Sequence, residues 1–232
     1  MPDPSPANPQ FSELLASAAR FQRLVPESVM VGGAAAALHA SHRISVDHDH
    51  VLSDLSDRFA AVLEALEREG DWVTNRVTPG RIVLGELGGI ETGLRQLIRR
   101  APLETEVYRL PDGSEIVIPT LAETLRIKAF LAVKRNQVRD YLDIAALAAT
   151  AGIEPAGAVL AGIDAYYSDQ APTEGTVAAQ LAAQLADPQP KDSRTTKQLA
   201  AYKGLAVRWH DWRQVKQVCR AVAGAMLTAD PP

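Results

Sequence analysis

Cysteine is all but missing. Cys219 stands alone among 232 residues, so no disulfide can form within the chain and no thiolate cluster can hold a metal. That usage fits a reducing compartment, and the expected location is the cytoplasm. Long apolar runs are missing too. The Ala-rich tracts are short and interrupted, so no segment is expected to span a bilayer and no membrane partner is expected. The opening residues, MPDPSPANPQ, have neither a basic start nor an apolar core and do not read as a signal peptide. A surplus of positive charge is also absent. The 24 Lys and Arg stand against 28 Asp and Glu, a net charge of −4, which gives no global attraction to nucleic acid. At 47% hydrophobic, the chain can still fill one large domain or two modest ones.

What is present concentrates between Val29 and Val51, VMVGGAAAALHASHRISVDHDHV. Val29-Met30-Val31 predicts a short strand, Gly32-Gly33 a turn, and Ala34 to Ala40 a small-residue helix. Ile44 to Val51 predicts a second strand carrying Asp47 and Asp49. A turn without Cβ atoms lets the backbone approach a bulky anion, and the helix beyond it offers unpaired N–H groups and a positive dipole end. On a strand, Ser45, Asp47 and Asp49 face one side. Two carboxylates there suit a divalent cation that bridges to a triphosphate. A Gly-Gly turn alone is common, and a D-x-D pair alone is usually a solvated strand end. Together, at this spacing, they favour a site.

Gly32-Gly33 followed by Arg43-x-Ser45-x-Asp47-x-Asp49 resembles the first motif of the DNA polymerase β-like nucleotidyltransferase superfamily. Within it, the sequence most resembles the AbiEii/AbiGii toxins of type IV toxin–antitoxin pairs. GIETGLRQLIRRAPLETEV looks like that branch's second block, and IPTLAETLRIKAFLAVKRNQVRDYLDIAAL like its third and fourth motifs. The likeness covers roughly residues 28 to 149. It implies an α+β fold, a nucleotidyltransferase-type mixed sheet flanked by helices and followed by an α-helical C-terminal region. It implies a catalytic set of Asp47, Asp49, Lys128 and Asp143. Mg²⁺ (or Mn²⁺) would sit on Asp47, Asp49 and Glu91, with Glu86 as Glu91's competitor. An NTP would be held by Gly32, Gly33, Arg43, Ser45 and Lys128. The activity implied is transfer of NMP to an RNA acceptor, the tRNA 3′ end, with release of pyrophosphate and control by a cognate antitoxin. A phosphate on Ser45 would repel the NTP and so act as an off-switch.

Two of these positions also speak for themselves. Lys128, flanked by Ile127, Ala129 and Phe130, needs an anion. Arg139 and Asp143 are spaced to pair on one helix face, which would make Asp143 structural. His48 and His50, where the family has apolar or aromatic residues, raise a metal-dependent hydrolase using His42, His48 and His50. Alternation turns His48 and His50 away from the aspartates and argues against it. The other readings are transfer to a small molecule such as an antibiotic, and a catalytically silent NTP-binding module.

The remaining chain predicts a Pro-rich disordered stretch over 1–9 and a helix over Pro9–Leu24. A helix capped by Asp54 or Ser56 runs to about Glu69, and strands follow at Trp72–Val77, Arg81–Glu86 and Ile90–Leu97. A hairpin joins Glu104–Leu110 to Glu115–Ile118, and a Thr120/Glu123 capping box starts a strong helix. Further helices are expected over Val138–Ala149, Pro155–Tyr166, Thr176–Leu185 and about Thr196–Met226. The domain reading is an α/β core over 1–118 and a helical part over 119–232. Residues 119–149 would complete the site, and 187–195 would form a linker. Residues 44–71 are acidic and the C-terminal stretch is basic. Trp209 and Trp212 with Arg208, Arg213 and Lys216 could hold single-stranded RNA. Tryptophans spaced in this way more often anchor a helix to a core.

Overall fold

Alternating burial, set by a few short strands, builds the half of the molecule that carries the motif. The computed structural model describes residues 8–170, 175–202 and 204–229. The disorder expected over the first residues falls outside the described residues for 1–7, as does Lys203 of the basic stretch. Helix α1 (Pro9–Leu24) is capped by Asn8, whose side chain accepts from the Gln10 amide, and it buries Phe11, Leu14, Leu15 and Ala18. Then come β1 (Val29–Val31), α2 (Gly32–Ala40), β2 (His48–Leu52), α3 (Leu55–Glu67), β3 (Trp72–Thr78), β4 (Ile82–Leu87) and β5 (Ile90–Gln96). The strands form one sheet in the order β1-β2-β5-β4-β3, in which only β2 and β5 run parallel.

The second strand starts at His48, not at Ile44. Strand β1 is three residues long and its last pair is Val31 with Asp49, and the ladder with β5 begins at His48 with Thr92, so residues 44–47 join neither ladder. The Ser45 hydroxyl donates instead to Asp47, to its carbonyl and to Oδ1.

One sheet face buries His48, His50, Leu52, Val83 and Leu94 against α1 and α3, with Phe21, Leu55, Leu66 and Trp72 completing that core. Gly85 is required there, because a Cβ on it would come within 2.4 Å of the Trp72 ring. The other face carries Asp49, Gly93, Leu84 and Arg76 in one row and Val51, Arg95, Ile82 and Thr78 in the next. It stays half open.

A separate hairpin of β6 (Thr105–Arg109) and β7 (Glu115–Pro119) packs Leu110, Ile116 and Ile118 on α1 and α2. Helix α4 (Leu121–Arg135) starts on Thr120, whose hydroxyl accepts from the Glu123 amide. The reciprocal half of the capping box is missing, since the Glu123 carboxylate pairs with Arg99 and Arg126.

The helical remainder comprises α5 (Val138–Ala151), α6 (Ile153–Ala161), α7 (Asp164–Tyr167), α8 (Val177–Ala186) and α9 (Trp212–Thr228). Its core gathers Tyr141, Leu147, Leu160, Leu181, Trp209 and Val222. Helices α6 and α9 touch closely because Gly157 has no Cβ, which would lie 2.4 Å from Ala225 Cβ. Where one long last helix was expected, short 3-10 turns cover Ser193–Lys197, Leu199–Ala201 and Val207–Trp209, and α9 starts only at Trp212. Chain hydrogen bonds there are mostly local, as from Gln198 to Thr195 and from Ala201 to Gln198, and the Ala206 amide ties the stretch to the His42 carbonyl at 2.7 Å. Segment 187–195 lies along the α4–α5 turn. The Lys191 amide donates to the Asn136 carbonyl, and Asp192 Oδ1 accepts from the Val138 amide at the start of α5. Among the described residues, no single helix is long and apolar enough to cross a membrane.

Candidate active site

The corner between β1, α2 and β2 is built around missing side chains. Gly32 adopts φ 77°, a left-handed conformation that a Cβ would strain. A Cβ there would also sit 3.3 Å from Asp49 Oδ2. On the other side of Asp49, across the parallel ladder, stands Gly93, where a Cβ would come within 2.4 Å of Asp49 Oδ1. The Asp49 carboxylate therefore fits between Gly32 at the start of α2 and Gly93 on the neighbouring strand. No side chain caps the first turn of α2, so its positive end is left for an outside acceptor. Gly33 is held clear for a different reason: a Cβ would meet the Arg43 guanidinium and Ser45 Oγ at 2.8 Å each.

Asp49 is half-buried, and Asp47 beside it accepts the Ser45 hydroxyl at 3.1 Å. Burial pushes the Asp49 carboxyl above the usual carboxylate range. Arg95, whose Nε lies 3.8 Å from Oδ1, opposes that push, and the charge of Asp47 adds to it. Ser45 is buried, so the hydroxyl that was to be phosphorylated is covered and already engaged.

Behind this corner, charged groups share one buried carboxylate. Asp143 Oδ2 lies 2.7 Å from Lys128 Nζ, and Oδ1 accepts from Arg43 Nε at 2.8 Å. His42 Nε2 is 2.7 Å from the same oxygen. Lys128 and Asp143 are 2% and 0% exposed. Burial alone would raise Asp143. The charges of Arg43 and Lys128 and the His42 hydrogen bond overcome it and hold the carboxyl well below the usual range. Burial likewise works against the Arg43 guanidinium, but Asp143 keeps it protonated. His42 stays neutral, its desolvation outweighing the pull of Asp143. Two permanent cations thus face one carboxylate, which leaves one surplus positive charge beside Gly33 and Ser45.

The structure brings together Gly32, Gly33, Arg43, Ser45, Asp47 and Asp49, and ties Arg43, Lys128 and Asp143 into one network. Asp143 pairs with Lys128 and Arg43, not with Arg139. Glu91 is exposed at the start of β5, one residue beyond the His48–Thr92 pair, and its side chain makes no hydrogen bond or ion pair among the described residues. Glu86 stands opposite it and accepts from Asn75. No three His, Cys, Asp or Glu side chains among the described residues stand together as a ready metal cage. Two hard carboxylates with an open side nevertheless fit Mg²⁺, which keeps several waters and takes its remaining ligands from substrate phosphates. His48 and His50 lie on the opposite face of β2, bonded to each other at 3.0 Å and packed against the Phe21 ring, His50 tilted and His48 edge-on.

From Asp49 a cleft of about 660 Å³ opens between the half-open sheet face and α4. Gly32, Asp49, Arg81, Arg95, Arg99 and Arg135 line it, with Ile82, Ile98, Ile127 and Leu131 as apolar wall. Sequence reasoning assigned no role to Gly93, Arg81 or Arg95. A glycine in mid-strand was the legible signal for Gly93, since it marks a close approach by another group.

These features define a nucleotidyltransferase fold. The chain aligns over 95% of its length, and over 85% of the other chain, with MenT4, a nucleotidyltransferase toxin from Mycobacterium tuberculosis H37Rv, at a TM-score of 0.60 and 16% identity. No known family model matches the chain. By sequence, 96% of it is 34% identical to 23% of the length of a protein described as heme uptake protein MmpL11 of M. tuberculosis H37Rv. The same share of the chain is 29% identical to 22% of a mycolic acid-containing lipids exporter MmpL11 of Mycolicibacterium smegmatis. The chain thus spans less than a quarter of the length of the curated relatives it matches.

Proposed function

We propose that this chain is a nucleotidyltransferase that moves NMP from an NTP to the 3′ end of an RNA, tRNA being the acceptor that the toxin likeness implies. One observation carries the reading. The Asp49 carboxylate lies against Gly32, and Ser45, which holds the Asp47 carboxylate, lies against Gly33, so cation ligands and a phosphate cradle share the corner that opens α2. Asp47 and Asp49 would hold Mg²⁺, with Glu91 reaching in from β5. When bound, the ion supplies charge neutralisation on the phosphates and a lowered pKa for the attacking hydroxyl. The Gly32-Gly33 turn and the surplus charge of the Arg43–Lys128–Asp143 network draw the β and γ phosphates. Asp143 positions both cations, and Ser45 orients Asp47. Pyrophosphate leaves on the α2 side. A neighbouring antitoxin would restrain the activity.

Label transfer tests this directly. The protein is mixed with Mg²⁺, each α-labelled NTP in turn and total tRNA, beside an Asp49→Ala control. Label on tRNA from one nucleotide, lost in the control, is expected. If no NTP binds at all, the reading built on Gly32, Asp47 and Asp49 is wrong.

The sequence relatives favour a second reading, because they are described as transport proteins and match nearly the whole chain. On it, the domain is a nucleotide-binding accessory of a transporter. NTP bound with a measurable Kd but never turned over, on RNA or on small hydroxyl acceptors, would select it.

A further inference from the structure

In-line transfer needs donor and acceptor on opposite sides of the α-phosphorus, with the metal-binding carboxylates between them. The strand order sets which side is which. Gly32 and the start of α2 adjoin Asp49 on the β1 side, so the triphosphate belongs there. The acceptor must then approach over β5, β4 and β3, the half-open face that continues into the cleft under α4. Charge on that face is graded. Glu86 and Glu91 stand together at one end, and Arg95 with Arg81 at the other, where the cleft lies. Four arginines line this cleft, but two are already neutralised. Arg135 is paired in bidentate fashion with Asp140, and Arg99 with Glu123. Arg81 is exposed and its side chain has no partner among the described residues, while Arg95 is held only by the 3.8 Å approach to Asp49. Two such cations beside an apolar wall, with Ile98 57% exposed at its rim, repel a cationic acceptor such as an aminoglycoside. They match a strand that alternates phosphates with flat bases.

We infer that the cleft between the open sheet face and α4 holds the acceptor as a single-stranded polynucleotide end, with Arg81 and Arg95 on its phosphates. The inference rests on the nucleotidyltransferase reading and names its acceptor surface. It also moves that surface away from the C-terminal stretch. There Lys216 and Arg220 pair with Asp187 and Arg213 with Asp211, while Trp209 is 1% exposed.

The test uses the full chain with Mg²⁺, a short fluorescent single-stranded RNA and, separately, a fluorescent NTP analogue, each followed by anisotropy over a salt series. Arg81→Ala and the pair Arg81→Ala, Arg95→Lys are compared with Arg213→Ala. Arg81→Ala is expected to weaken RNA binding about tenfold at low salt and to flatten the salt slope by about one. NTP affinity should stay unchanged, and Arg213→Ala should match the wild type. Unchanged RNA affinity in both cleft variants would place the acceptor elsewhere. Equal losses of RNA and NTP would make the cleft the donor's site and overturn the inference. Wild type that binds NTP but no RNA would refute the polynucleotide while sparing the transferase; binding of neither would sink both.

Discussion

At the residue scale, the two aspartates most worth mutating should behave in opposite ways. Among the described residues, Asp143 is the carboxylate in direct ion pairs with both buried Arg43 and buried Lys128. Asp143→Asn leaves both cations unpaired in the interior, and a loss of about 3–5 kcal/mol is expected in urea unfolding at neutral pH. Its folded pKa lies below the unfolded value, so its contribution is complete above the ordinary Asp range and disappears only as pH falls through the depressed pKa. Asp49 has the reverse sign. Its folded pKa is raised, so ionising it at neutral pH works against folding. Asp49→Asn should leave the fold as stable or more so while abolishing Mg²⁺-dependent NTP binding, a contrast that one urea series and one titration would expose. Gly93→Ala makes a third case. The new Cβ would push on Asp49 Oδ1 while the strand pairing survives, so a large loss of metal affinity is expected with little loss of stability. Lys128's need for a buried anion was legible from its apolar neighbours. That the anion is Asp143, and that Arg43 shares it, was not, because the Arg43 contact spans 100 positions and spacing on one helix pointed to Arg139.

At the element scale, β2 shows what periodicity can and cannot give. Alternation placed Asp49 and the His48–His50 pair on opposite faces, and burial from His48 to Leu52 follows it residue by residue, while Asp47 precedes the strand and falls outside the pattern. The strand's start was missed because it depends on where the ladders with β1 and β5 reach, a property of the partners. The buried face carries its own prediction. Burial lowers His48 to about 4, and lowers His50 well below its ordinary 6.5, with His42 lowered too. A histidine with a depressed folded pKa accepts its proton first in the unfolded chain. Stability is therefore complete above about pH 6.5 and falls below it, by roughly 1 kcal/mol per pH unit for each such histidine. Urea midpoints measured between pH 7.5 and 5 should drop steadily, and the slope should shrink in a His48→Gln, His50→Gln variant that folds. A flat profile would mean that these rings are already charged in the native state.

At the scale of the whole molecule, the sheet half was readable because turns, caps and period-two strands are local signals. The last third was legible only in part. Helix α8 lies where Thr176–Leu185 predicted one, with Thr176 as its cap, but the irregular stretch before α9 was missed, because it is placed by distant contacts such as Ala206 to His42 and Lys191 to Asn136. Those ties decide what truncation does. A basic tail held apart by a linker could be removed with the nucleotide site left whole. Here α9 packs on α5, α6 and α8, and Trp209, Val215, Cys219 and Val222 belong to the same core as Tyr141, Ile144 and Leu147 of α5. Helix α5 in turn carries Asp143, so the site's buried carboxylate stands on a helix that the C-terminal residues hold in place. Removing 187–232 should therefore destroy NTP binding along with any RNA binding. A milder variant separates packing from charge: Trp209→Ala should cost about 3–5 kcal/mol, whereas Arg208→Ala, Arg213→Ala should leave the unfolding midpoint nearly unchanged. If the truncated chain instead unfolds cooperatively and still binds NTP, α5 holds its place without α9, and the site is more self-contained than its packing implies.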